Sequence, residues 1–195
     1  MQLSPEEKMT KARTQLLLRH PFFGYFLTHL RFVGDAIKKF GVPTACVIWD
    51  RKSRKYLSDL HYNPDFIAML TVEEVQGVQV HEMMHILLAN EQRRENREED
   101  KWRLCAEIAV NDTVLNAGFS LPTLADFTPI LPDETTHNKT IEEIYELLPP
   151  GHRMNDVVHV ILSEDGVPAS SSEGTIGSSA IDEKKLKEII SEAAA

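Results

Sequence analysis

His81, Glu82 and His85 stand in the pattern His-Glu-Met-Met-His. On a helix, residues four apart lie one above the other, so the two imidazoles share a face and Glu82 sits beside it. Two neutral imidazoles on one face can hold Zn²⁺, and a neighbouring carboxylate can take the proton of a water as it attacks a carbonyl carbon. The chemistry expected of the pattern is therefore metal-assisted hydrolysis of a peptide bond. A random shuffle of this composition would produce the pattern roughly a few times in a hundred, so the flanking sequence has to decide. An ordinary core helix with hydrogen-bonded histidines is the bland alternative. Against it, two histidines and a glutamate inside an apolar stretch are costly to bury without partners.

The element that must carry these residues has a clear start. Thr71 followed by Glu74 is a capping box, and apolar residues recur at Val72, Val75, Val78, Met84, Leu87 and Leu88, which predicts a buried helix over about 71 to 89. Upstream, Ser4-Pro5-Glu6-Glu7 opens a helix over about 5 to 19, stopped by Pro21. A second helix is expected from Tyr25 to Phe40, ending at Gly41. Thr44 to Trp49 and Lys55 to Leu60, joined by a polar turn, read as a β-hairpin, and Asn63-Pro64-Asp65 opens a short helix to about Leu70. Glu91 to Lys101 is a run of mixed charge, expected to be an exposed helix end and loop. A strongly apolar helix then runs from near Asp100 to Gly118. Pro122, Pro129 and Pro132 keep residues 119 to 139 irregular, and Thr140 with Glu143 caps a helix ending before Pro149.

A zinc site of this kind needs a third protein ligand and leaves a fourth position for water. Glu91 falls where metzincin-type proteases place a third histidine, but that arrangement needs a glycine turn where this chain has Leu88, and on a continued helix Glu91 points away from His81 and His85. Glu95 reads as solvated surface. Glu107 is the expected ligand: it lies among Leu104, Cys105, Ala106, Ile108 and Ala109 on the next helix, where a buried carboxylate calls for a cation. Asn111, one turn on, and Asp112 are candidates to orient a histidine ligand. Tyr145, His137 and His152 stay open as donors that could stabilise an oxyanion.

The 195 residues, 42% of them hydrophobic, suffice for one domain with a real core. A net charge of -9 and a pI near 5.4 argue against nucleic acid as a partner, and the basic clusters Arg51 to Lys55 and Arg93 to Arg97 read as solvated loops. Two isolated cysteines suit a reducing compartment, and the polar N-terminus does not resemble a secretory signal, so a cytoplasmic location is expected. The apolar stretch Pro21 to Leu30 is too short to span a membrane. Residues 163 to 180 are rich in Ser and Gly and read as a flexible linker. Ile181 to Ala195 forms a helix with one apolar stripe, Leu186, Ile189 and Ile190, that needs a partner surface. The expected organisation is a metallopeptidase-like domain over 1–160, then linker and helix over 161–195.

Taken in order, several short segments resemble the metallopeptidase domain found next to VWA-like domains in bacteria and their phages. They are His20-Pro21-Phe22, Pro43-Thr44-Ala45, Tyr62-Asn63-Pro64, His81 to His85, Trp102 followed by Ala106 to Asn111, and Glu143-Ile144-Tyr145. The resemblance covers roughly residues 14 to 150 and is specific through order and spacing. It departs in two places. The family usually has Asp where this chain has Glu107, and it commonly has a histidine near Asn90, a position therefore expected not to be essential. No VWA-like domain fits after residue 195, so a short form or a piece of a longer protein is expected.

The resemblance implies an α+β fold: a mainly helical zincin-like domain with a small β-hairpin or sheet and a flexible C-terminal tail. It also implies a peptide or protein substrate. The expected function is a zinc-dependent peptidase with His81, His85 and Glu107 as metal ligands and Glu82 as the catalytic base. The hairpin over 44 to 60 could offer an edge strand to an extended peptide. The competing expectation is a non-catalytic zinc-stabilised interaction module that engages a protein partner through the C-terminal helix.

Overall fold

The computed structural model describes residues 3–48, 56–88, 90–125, 127–150 and 183–195. The fold is α+β, with helices surrounding a three-stranded mixed sheet. Helix α1 (Pro5–Arg19) begins at the Ser4–Glu7 capping box, and Lys8 from its first turns donates to the carbonyls of Ile67, Ala68 and Leu70. Those carbonyls end α4 (Pro64–Met69), so a buried ammonium ties the two helices together. Helix α2 (Pro21–Leu27) turns back along α1. A Cβ at Gly24 would lie 2.1 Å from the Leu17 Cα, so only glycine allows this approach.

The expected single helix from Tyr25 to Phe40 is broken in two. Strand β1 (Leu30–Val33) intervenes before the short α3 (Ala36–Phe40), which closes at Gly41 with φ 70°. The reason is non-local. Leu30 to Val33 pair in parallel register with Ser58 to His61 of β3 (Ser58–Tyr62), on the far side of two intervening elements. The predicted hairpin strands do pair, β2 (Ala45–Ile48) lying antiparallel to β3 from Ala45↔Tyr62 to Ile48↔Asp59. Its turn lies outside the described residues. The strand order β1-β3-β2 leaves β2 at one edge, against α5.

Helix α5 (Val72–Leu87) starts at the Thr71–Glu74 capping box and is buried continuously from Gly77 to Ile86. It is a core helix, packed by α1, the sheet and α7 (Glu99–Asn116). A Cβ on Gly77 would lie 1.8 Å from the Ser120 carbonyl oxygen, so residues 119 to 121 run directly across the motif helix there. Helix α7 stops at Gly118, φ 84°, and forms a second core with α8 (Ile141–Leu147) through Trp102, Cys105, Ile108, Ile141 and Ile144. The short α6 (Asn90–Arg93) joins α5 to α7.

The expected tail divides. The Ser/Gly-rich stretch over 163 to 180 lies outside the described residues, while α9 (Glu183–Ala193) packs on α2. Leu186 and Ile189 are buried in the main core, Tyr25 donates to Glu192 over 2.6 Å and Lys185 to the Tyr56 carbonyl. The apolar stripe that required a partner finds one within the chain. No described helix is long and apolar enough to cross a membrane.

Candidate metal centre

Helices α5 and α7 cross so that His81, His85 and Glu107 meet at their seam. One potential ligand atom from each lies within 4.8 Å of the others, a group that could hold a metal ion. The Nε2 atoms of His81 and His85 are 2.9 Å apart, and the Glu107 carboxylate stands 3.5 Å from the first and 3.2 Å from the second. All three residues are buried. A donor set of two imidazoles and one carboxylate, drawn together away from bulk water, fits a metal ion. The spacing of Glu107 from the histidines thus brings it to the place the sequence predicts.

Glu82 follows His81 on α5 and is completely buried. The Cys46 thiol on β2 is pushed up chiefly by burial and next by the negative charges of Glu82 and Asp35.

The two imidazoles are supported differently. His81 Nδ1 lies 2.8 Å from Asn111 Oδ1, and the Asn111 amide nitrogen is donated to the Ile130 carbonyl over 2.8 Å. The amide is thereby locked with its oxygen toward the ring, so His81 Nδ1 carries the proton and Nε2 offers its lone pair to the seam. Asn111 thus takes the orienting place predicted for it. Asp112 does not share it. Its carboxylate accepts from the Asn138 backbone N–H and contacts His137 Nδ1 at 2.7 Å, closing the 130–138 segment onto α7. A step of one residue along α7 turns the side chain by about 100°, away from the histidine face.

His85 is supported from a place the sequence does not flag. Its Nδ1 lies 2.9 Å from the side-chain amide of Asn90, whose carbonyl accepts the Trp102 indole N–H over 2.8 Å. Asn90 is 1% exposed. With the helix broken after Leu87, the chain turns Asn90, a position expected not to be essential, back onto His85. The charged run is, as expected, a short helix end followed by an exposed turn over 94–98, but several of its basic side chains are engaged by the body of the fold. Arg93 holds Glu142 through two guanidinium nitrogens, at 3.0 and 2.5 Å, and donates to the Leu88 carbonyl. Arg97 stacks 5.0 Å above the Trp102 ring, and Lys101 sits 4.0 Å from the centre of Tyr145. Glu95, by contrast, is exposed, and Arg97 lies 3.7 Å from it.

Of the candidate oxyanion donors, the Tyr145 hydroxyl accepts from the Glu98 backbone N–H at 3.0 Å and His137 is held by Asp112. His152 and the basic cluster Arg51 to Lys55 lie outside the described residues. Nothing in the described residues brings Tyr145 or His137 to the three candidate ligands.

A family model described as "Putative metallopeptidase domain" matches residues 4–189 of the chain. No curated protein and no solved structure is significantly similar to it.

Proposed function

The chain belongs to that metallopeptidase family, and on this premise we propose that it is a zinc-dependent peptidase in which His81, His85 and Glu107 hold the ion and Glu82 is the catalytic base. The observation that carries the proposal is the convergence of three donors within 4.8 Å, two from the stretch of α5 that carries Glu82 and one from α7 packed against it. When bound, the ion would polarise the scissile carbonyl and acidify water. Glu82, fully buried and next to His81 in sequence, takes the proton from the attacking water and returns it to the departing amine. Asn111 keeps His81 in the tautomer that offers Nε2. Strand β2, though last in the strand order, is buried along its length, so the expected pairing of an extended peptide with this hairpin strand has no open edge there.

The test is cleavage of a peptide library by the zinc-loaded chain, followed by mass spectrometry, with Glu82→Gln as comparison. Loss of the base is expected to slow cleavage by about 10²- to 10⁴-fold while zinc content and fold are kept. If the zinc-loaded wild type cuts nothing and Glu82→Gln matches it in stability and zinc content, the metal serves the fold alone. The non-catalytic interaction module then takes the place of the peptidase.

A further inference from the structure

The supports of the two imidazoles differ in polarity as well as in place. At His81 the amide oxygen of Asn111 faces Nδ1. At His85 it is the amide nitrogen of Asn90 that lies 2.9 Å from Nδ1, while Asn90 Oδ1 is buried with no hydrogen-bond partner among the described residues. An amide N–H donates, so with this polarity His85 Nδ1 accepts and the ring proton sits on Nε2. From there it is within reach of His81 Nε2 at 2.9 Å and of Glu107 at 3.2 Å. A nitrogen that carries a proton cannot ligate a metal. A half-turn of the Asn90 amide exchanges its ends. It places the unpartnered Oδ1 against Nδ1, which then holds the proton and leaves the Nε2 lone pair facing the seam.

We propose that Asn90 is a positioning residue that sets the tautomer of His85 through the orientation of its side-chain amide, so that ligation by His85 is coupled to a half-turn of that amide. The inference rests on the reading of His85 as a metal ligand. Its parts are on hand: the Trp102 indole fixes the Asn90 backbone, and Arg93 ties the Leu88 carbonyl to Glu142 on α8, so the amide turns while its main chain stays. Asn111 cannot turn in this way without giving up the Ile130 carbonyl. The buried oxygen without a partner is what makes the second orientation at Asn90 accessible, since turning the amide sacrifices no hydrogen bond at that end.

Long-range ¹H–¹⁵N correlation spectra of the full chain report the tautomer of each histidine ring. They would be recorded before and after addition of zinc for the wild type, Asn90→Asp and Asn90→Leu. The wild type is expected to show His85 protonated on Nε2 before zinc and on Nδ1 after it. Asn90→Asp, which can only accept, is expected to show the Nδ1–H form in both. Asn90→Leu is expected to weaken zinc binding, measured by competition with a chelator, by about 10- to 100-fold, and Asn90→Asp is expected to preserve it. The same His85 tautomer in wild type and Asn90→Asp before zinc would overturn the assignment, and so would undiminished affinity in Asn90→Leu. A wild type that takes up no zinc would instead sink the peptidase reading, while the tautomer comparison still decides what Asn90 does. Should Asn90→Leu fail to fold, the near-isosteric Asn90→Asp carries the test alone.

Discussion

The two ends of one helical turn, at His81 and at His85, present the same side chain to the same point and are built on different foundations. The His81 end is held from α7 and from the irregular segment that follows it. Asn111 reaches it from the middle of α7, the Ile130 carbonyl locks Asn111, and the backbone at Ser120 lies on Gly77 one turn earlier. The His85 end is held by a connection. Asn90 reaches it from the turn between α5 and α7, and that turn is fastened to α8 through Arg93 and Glu142 and to α7 through Trp102. Ligands on a rigid helix still depend on what grips their outer nitrogens, and here the rigid grip and the adjustable grip are one turn apart.

The largest expected effect comes from disturbing the rigid end. Gly77→Ala forces a methyl group onto the Ser120 carbonyl, and backbone on both sides leaves little room to yield, so a loss of about 3 kcal/mol or more in urea unfolding is expected. A stable Gly77→Ala chain would mean that residues 119 to 121 do not grip α5. Next in size, Asn111→Leu removes the acceptor for His81 Nδ1 and strands the Ile130 carbonyl, so zinc affinity should fall by about 10- to 100-fold. Unchanged affinity would remove the distinction between the two ends from that side.

How much of this contrast is legible in the sequence follows from the range of the forces involved. Helix α5 is readable because its capping box and apolar run are local, and Glu107 with Asn111 because one helical turn relates them on a strongly apolar helix. Strand β1 is not readable. Leu30 to Val33 are extended only because β3 pairs with them in parallel, a contact made across a long stretch of chain. Asn90 is hidden for a similar reason. Its role depends on the helix ending at Leu87, and a residue five positions past a ligand on a continuous helix would face elsewhere. The basic residues of the 93 to 101 segment read as surface because composition reports charge and not the rings of Trp102 and Tyr145 beneath them.

Smaller effects probe the fastenings. Arg93→Ala releases the turn from α8, but the Arg93–Glu142 pair is a third exposed, so the stability loss should stay near 1 kcal/mol. The informative readout is hydrogen exchange, which should rise over residues 88 to 97 and not at 119 to 131. A uniform rise would show that the two ends share one foundation. The smallest effect concerns the 130–138 segment beyond the rigid end. Hydrogen bonds from the Thr135 and Thr136 side chains and backbone hold the Asp133 carboxyl down to about 2. Because the folded value is lowered, this turn is supported fully above the unfolded carboxyl range, about 4, and loses that support as pH falls toward 2. Asp133→Ala should remove protection of the Thr135 and Thr136 amides at neutral pH, and protection that survives the substitution would show that the carboxylate is not what orders the turn.

The central claim is that one zinc ion sits where His81, His85 and Glu107 converge. Anomalous diffraction at the zinc edge from zinc-loaded crystals tests it most directly. The expected result is a single strong peak about 2.0 to 2.2 Å from Nε2 of both histidines and from a Glu107 oxygen, with His85 Nδ1 facing Asn90 Oδ1. A peak elsewhere, or Glu107 turned out of the seam, would contradict the account.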